Sequence, residues 1–336
     1  MSIPGGARRD AITVRAFDAQ DEPAVLELLQ MGFGRWPSID GITPSAFFRW
    51  KHAACPFGPS GMVIAEIGDV IVGFHAYMPW RFQAGGRTIA AVRAVDLAVD
   101  PSYRRRGVSA SIRAAAKFSE DVAFLWGNAS GASHRGALRA GGRSVIDVPR
   151  FLRPCGPLRT IRQGLRRAEV LQHLPIDAPS APEILRDGEK MERLLAHVGS
   201  RGERLSTVRD LEYLRWRYGQ FAAYRAIWIG RGNDDAGLVI FSPRLHGSWW
   251  VLHVCELLVP RDDPRTVRRL LHSMQNASPA DFIRCHFDSR RQALRSGFIE
   301  LRRKDAFTVL PFQDGLVPDP RQSASWALSL GDLDLL

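Results

Sequence analysis

The residues with the most chemical content lie around a short basic turn. Asp96-Leu-Ala-Val-Asp-Pro101 leads into Ser102-Tyr-Arg-Arg-Arg-Gly107, and Val108-Ser-Ala-Ser-Ile-Arg-Ala-Ala-Ala-Lys-Phe118 follows. Apolar Leu97, Ala98 and Val99 read as the end of a strand, stopped at Pro101, which cannot continue a ladder. The alanine-rich run after it predicts a helix over 107–119 with Val108, Ile112, Ala115 and Phe118 on one face. A turn that opens a helix leaves backbone N–H groups unpaired at the positive end of the helix dipole. Gly107 lets the backbone approach a ligand, Ser109 and Ala110 leave room, and Arg104, Arg105 and Arg106 bring charge. Such a turn suits a pyrophosphate.

Several groups able to move protons or hold polar atoms flank this turn. A carboxylate at Asp96, set among apolar strand residues, is expected to have its pKa raised toward the working pH of a base. Asn128, Ser133 and His134 follow the next apolar run, and His134 titrates in the range useful to an acid. The elements that must position them are read from the pattern. A strand covers 12–17 and an acid-led helix 20–29. A hairpin pairs 62–66 with 70–78 around Gly68-Asp69, and Gly85-Gly86 turns into the strand ending at Val99. A strand over 122–126, a helix over 133–139 and a strand over 143–152 complete the series.

The spacing Arg104-x-x-Gly107-x-Ser109, after Leu-x-Val-x-Pro on a strand and before a helix, resembles the acetyl-coenzyme A motif of the GNAT superfamily of N-acyltransferases. Ser109 stands where the family usually has glycine or alanine. The resemblance implies an α/β (α+β) fold: a mixed, mostly antiparallel sheet flanked by helices. It implies that Arg104 to Ala110 hold the pyrophosphate of acetyl-coenzyme A. The backbone of Leu97, Ala98 and Val99 would bond the pantetheine and polarise the thioester, and Asn128 would meet pantetheine or the leaving sulfur. Asp96 takes the position of the general base; alternatively it binds the substrate's ammonium or braces a backbone turn. The family's tyrosine acid has no counterpart, since Ala137 or Leu138 stands there, leaving Ser133 and His134 as donors. His75, Tyr77 and Trp80 fall on the strand that faces the acceptor in this fold, where they either contact substrate or pack.

Internal echoes predict that the chain carries this fold twice. Phe47-Phe-Arg-Trp-Lys51 is echoed by Tyr213-Leu-Arg-Trp-Arg217, Asp96-Leu-Ala-Val-Asp-Pro101 by Glu256-Leu-Leu-Val-Pro260, and Ala140-Gly-Gly142 by Ser296-Gly-Phe298. Trp50 to Trp216, Asp96 to Glu256 and Gly141 to Gly297 are offset by 166, 160 and 156 residues, a nearly constant interval. The expected organisation is an acyl-coenzyme A-binding copy at 10–152, a basic, proline-containing linker at 153–204, a degenerate copy at 205–312 and a tail at 313–336 that docks as a strand. In the second turn, Val259-Pro-Arg-Asp-Asp-Pro-Arg-Thr-Val267, glycine is missing and Asp262 and Asp263 would repel a pyrophosphate. This copy is therefore expected to have lost the coenzyme and to shape the acceptor site of the first.

Composition narrows the function classes. The 336 residues are 45% hydrophobic and 24% charged, with a net charge of +11, which favours polyanionic partners. No run approaches the ~20 apolar residues of a membrane span, and the N-terminus lacks a secretory h-region. Cys55, Cys155, Cys255 and Cys285 make no C-x-x-C pair, arguing against zinc and for a reducing, cytoplasmic setting. Walker A, His-Glu-x-x-His and Gly-x-Ser-x-Gly motifs are missing from the sequence. Between Asp147 and Glu169 lie Arg150, Arg153, Arg159, Arg162, Arg166 and Arg167 with no acid, and Leu158, Ile161 and Leu165 sit at helical spacing. That segment is a linker helix with a solvated basic face, or a surface for anionic lipid or tRNA.

The expected activity is transfer of an acetyl group from acetyl-coenzyme A to the amine of a small molecule, an amino sugar or biosynthetic intermediate, with no metal and no nucleic-acid partner. The alternatives are a Fem-like aminoacyltransferase fed by aminoacyl-tRNA and a non-catalytic acyl-coenzyme A-binding or scaffold protein.

Overall fold

The computed structural model describes residues 11–37, 41–128, 131–156, 172–199, 202–230, 237–260, 263–287 and 289–333. These pack as two compact units that interleave along the chain. The first is built from residues up to Trp80, Ala90–Arg143 and Thr308–Gln313; the second from Arg81–Ile89, Ser144–Phe307 and residues from Asp314 onward. Helix Leu158 to Leu165 and arginines 159, 162, 166 and 167, singled out in the sequence, lie outside the described residues.

In the first unit the chain runs β1 (Ile12–Ala16), α1 (Glu22–Phe33), α2 (Pro44–His52), β2 (Gly61–Ile67), β3 (Val70–Ala84), β4 (Arg87–Val99), α3 (Val108–Ala115), β5 (Phe124–Gly127) and α4 (Gly131–Arg139). The sheet order is β1-β2-β3-β4-β5. The β1/β2 and β2/β3 pairs are antiparallel and β4/β5 is parallel, the two strands being joined through α3. Pro44 and the Thr43 side chain, which accepts from the Ala46 N–H at 3.2 Å, start α2. Its buried face carries Phe47, Phe48 and Trp50, with Phe48 against Phe17 and Phe74. On α3, Val108 and Ile112 pack with Ala65, Ile67 and Val72. Gly73 permits that approach, because a Cβ there would lie 2.6 Å from Val108 Cγ1. The helix expected over 107–119 ends at Ala115. Past it, Phe118 turns inward onto the Tyr77 and Phe312 rings.

The second unit runs β6 (Arg143–Pro154), α5 (Ala181–Ile184), α6 (Gly188–Val198), β7 (Ser206–Thr207), α7 (Leu211–Tyr218), β8 (Arg225–Ile229), β9 (Gly237–His246), β10 (Trp249–Leu258), α8 (Pro264–Asn276), β11 (Phe282–Cys285), α9 (Arg290–Arg295), β12 (Ile299–Pro311) and α10 (Leu330–Leu333). Its strands lie in the order β6-β11-β10-β9-β8. Again one pair, β10/β11, is parallel and bridged by a helix, α8. Gly237 repeats the part of Gly73: a Cβ there would meet Thr266 Cγ2 at 2.7 Å.

The closing strands are exchanged. β6, read from the sequence as the last strand of the first copy, pairs with β11 of the second unit. The end of β12, Thr308 to Pro311, pairs with β5 of the first. Side-chain alternation specifies which face a strand buries but not which edge it joins, so the pattern alone did not reveal this. The tail also differs from expectation. Trp326 makes a single parallel bridge to Leu205, and the chain then forms the helical turn α10 instead of a strand.

Candidate active site

The basic turn has the backbone of an anion cradle. Arg105 is left-handed at φ 64° and Gly107 at φ 92°. A left-handed conformation is costly for arginine, and strain of this kind concentrates where a loop must present its backbone. Gly107 occupies the N-cap of α3 and offers no capping side chain. Among the described residues, no acceptor takes the N–H groups of Arg105, Arg106, Gly107, Val108 and Ser109. The Ala110 and Ser111 N–H groups already bond the Gly107 carbonyl, at 2.9 and 3.0 Å. Arg104, Arg105 and Arg106 are exposed. Arg104 Nε reaches the Val99 carbonyl at 3.3 Å, and the Arg106 guanidinium lies 5.0 Å from the Tyr103 ring centre.

Beside the turn the sheet opens. The parallel register of β4 and β5 runs Ala91↔Phe124, Val92↔Leu125 and Arg93↔Trp126, whereas β4 continues to Val99 and β5 ends at Gly127. Leu97, Ala98 and Val99 thus lie beyond the vertex of a splay whose opposite arm leads to Asn128. Arg93 at the vertex was not anticipated from the sequence, although an arginine between Val92 and Ala94 in an apolar strand was its signal. It is buried, with its guanidinium 4.7 Å from the Trp126 ring centre and 5.5 Å from that of Trp80. Its Nη2 donates to Asn128 Oδ1 at 3.1 Å, which orients that amide at the splay.

Asp96 lies in this stretch of β4, and its surroundings correct the expectation of a raised pKa. Lys51 Nζ at the end of α2 lies 2.9 Å from Oδ1 and 2.8 Å from Oδ2, and His52 Nε2 lies 3.1 Å from Oδ2. Burial pushes the Asp96 carboxyl up, but the Lys51 ammonium and the His52 hydrogen bond outweigh it and hold the group well below the usual carboxylate range. Both oxygens are engaged, and the group is a poor base. Asp96 is also left-handed, at φ 54°, within a strand. Burial pushes His52 down, so it stands neutral, with Nδ1 3.1 Å from Ser60 Oγ.

The remaining sequence candidates divide. His75 and Tyr77 are buried side by side on β3, their ring centres 4.3 Å apart. Burial and the positive charge of Arg113 push His75 down to about 3, with Asp96 opposing; burial pushes Tyr77 up to about 12, with Arg113 opposing. His75 Nδ1 is buried without a hydrogen-bond partner among the described residues. Strand alternation puts Trp80 on the opposite face, where it packs edge-on against Phe57 and Trp126. All three aromatic side chains are therefore packed within the unit. In α4, the Ser133 carbonyl accepts from Arg113 Nη2 at 3.4 Å, and Gly136 leaves room for that guanidinium. His134 Nδ1 is buried, also without a partner among the described residues. Arg113 links α3 to α4 through the Ser133 carbonyl and was not anticipated from the sequence.

The second unit fills the corresponding places from within. Asp263 caps α8, its carboxylate accepting from the N–H groups of Arg265 and Thr266 at 3.4 and 2.8 Å. The counterparts of the donors left open at the start of α3 are here satisfied by the chain itself. Glu256, the counterpart of Asp96, is buried and accepts from Arg209 Nε at 2.8 Å and from the Tyr218 hydroxyl at 3.0 Å.

Comparison with known proteins agrees with this geometry. Residues 13–126 match the acetyltransferase (GNAT) domain family. A sequence comparison with curated proteins gives no match. Among solved structures, a GCN5-related N-acetyltransferase from Kribbella flavida superposes with a TM-score of 0.59 at 18% identity, over 91% of this chain and 72% of that one. One from Anabaena variabilis gives 0.59 at 12%, over 89% and 72%. A probable N-acyltransferase from Enterococcus faecalis gives 0.58 at 12%, over 90% and 73%. At such identities these likenesses establish the fold alone. The match to the acetyltransferase (GNAT) domain over residues 13–126 falls in the unit that carries the uncapped turn and the splayed strands.

Proposed function

We propose that the first unit transfers an acetyl group from acetyl-coenzyme A to the amine of a small molecule, an amino sugar or biosynthetic intermediate being the preferred class. The observation that carries this reading is the α3 N-terminus: a left-handed glycine cap, unpaired N–H groups and three exposed arginines directly beside a splayed strand. In this reading Arg104 to Ala110 hold the pyrophosphate, and the N–H groups of Leu97, Ala98 and Val99 align the pantetheine and polarise the thioester carbonyl. The neutral amine attacks that carbonyl carbon, the C–S bond breaks, the nitrogen gives up a proton to water, and the leaving thiolate takes a proton from His134 or Ser133, which water restores. Asp263 excludes the coenzyme from the second unit.

Calorimetry tests the donor site. One acetyl-coenzyme A per chain is expected, with affinity at least ~100-fold weaker in Arg104→Glu/Gly107→Glu, since charge reversal and backbone strain act together. Two equivalent sites, or unchanged affinity in that variant, would show the assignment to be wrong. A mass-spectrometric screen of amines with acetyl-coenzyme A then identifies the acceptor.

A further inference from the structure

Asp96, Lys51 and His52 form a unit that the reaction scheme leaves without a task. Their geometry fits a mechanical one. Asp96 adopts φ 54° in the middle of β4, beyond the last β4/β5 pair and directly before Leu97. An L-residue holds that conformation only where its surroundings impose it. Here the imposition is visible: Lys51 engages both carboxylate oxygens and His52 engages one, all three side chains being nearly or fully buried. Lys51 and His52 are the last two residues of α2, so the bond ties a helix end to the point where β4 leaves the regular ladder.

The second unit repeats the device. The β9/β10 register shifts between Val254 and Glu256, so Glu256 also sits at an irregularity in its strand. The last residue of α7, Tyr218, donates to it at 3.0 Å, as His52 meets Asp96. Both helices carry Arg-Trp followed by a cation, Lys51 or Arg217, and then the residue that meets the acid. Yet α8 is capped by Asp263, so this unit keeps the tie while closing the phosphate site. A group needed only to take a proton from an amine has no reason to persist there with its helix-end partner.

We propose that Lys51 and His52 are positioning residues that hold Asp96 in its left-handed conformation and thereby set the path of β4 on which the thioester-aligning N–H groups of Leu97, Ala98 and Val99 depend. This deepens the acetyl-transfer reading and rests on it for its functional consequence. It replaces Asp96 as the base.

The test separates backbone geometry from proton transfer. Lys51→Met removes the buried ammonium, so Asp96 can be replaced in that background without stranding a charge. Lys51→Met/Asp96→Gly and Lys51→Met/Asp96→Ala both lack the carboxylate, but only glycine adopts the left-handed conformation freely. The expected result is that the alanine variant binds acetyl-coenzyme A about tenfold more weakly than the glycine variant, with faster amide hydrogen exchange over 94–99. Equal affinity and equal exchange in the two variants would overturn the proposal, as would wild-type values for both readouts in the alanine variant with turnover alone abolished. If the wild-type chain fails to bind acetyl-coenzyme A, the functional reading falls, while the exchange comparison still decides whether the left-handed conformation at position 96 sets the path of β4.

Discussion

Asp96 and Lys51 are a buried ion pair, and removing one partner leaves the other charged and desolvated. Lys51→Met alone is therefore expected to cost about 3 kcal/mol or more in urea unfolding, and Lys51→Met/Asp96→Asn to recover part of that loss. The pH dependence has a definite sign. The folded-state pKa of Asp96 lies below the unfolded value of about 3.9, so as pH falls the unfolded chain takes up the proton first. The stabilisation is complete above about pH 5 and is lost as the pH falls below 4 toward the folded pKa. Asp96→Asn should flatten the decline of stability in that window, read from urea midpoints at pH 5, 4 and 3. A decline as steep as in the wild type would mean that other carboxylates dominate acid unfolding.

The two parallel strand pairs and their helices allow the same perturbation to be made twice. A Cβ at Gly73 would press on Val108 and Ile112 of α3, and one at Gly237 on Thr266 and Leu270 of α8. Overpacking of this kind costs roughly 1–3 kcal/mol, so Gly73→Ala and Gly237→Ala should destabilise comparably. Only Gly73→Ala moves the open N-terminus of α3, so it alone should weaken acetyl-coenzyme A binding; equal weakening by both would place a donor site on α8 as well. Much of this element layer was legible in the chain. The hairpin around Gly68-Asp69, the strand into Pro101 and the glycine before α3 are local signals, and the echoed Arg-Trp segments announced the second copy. The exchange of β6 and the end of β12 was not legible, because edge partnership is a long-range choice. The depressed pKa of Asp96 was missed for a similar reason: its partners Lys51 and His52 lie 45 and 44 residues away, and only the fold brings them together.

At the scale of the whole molecule, the net charge of +11 keeps a tRNA-fed, Fem-like reaction in view as the rival to acetyl transfer. Charge alone is a weak discriminator, since coenzyme A is itself polyanionic and both donors would be drawn by the same field. The discriminating feature is local. An enzyme whose acyl group arrives on tRNA has little use for unpaired N–H groups at the start of α3, whereas a free coenzyme A donor needs such an anion site. Counterion release makes the two readings separable. If the basic segment from Arg150 to Arg167 held tRNA, affinity would fall steeply between 50 and 200 mM salt, by a factor on the order of 10³ or more for six phosphate contacts. The expected outcome is no specific tRNA binding near physiological ionic strength. Arg159→Glu/Arg162→Glu/Arg166→Glu should leave acetyl-coenzyme A affinity within about twofold of wild type, because the anion site proposed for the coenzyme is formed by Arg104 to Ala110. Filter binding across a salt series, with calorimetry on the same variant, makes the comparison. Tight, salt-sensitive tRNA binding abolished by the three reversals, with no uptake of acetyl-coenzyme A, would establish the tRNA-fed reaction in place of the one proposed.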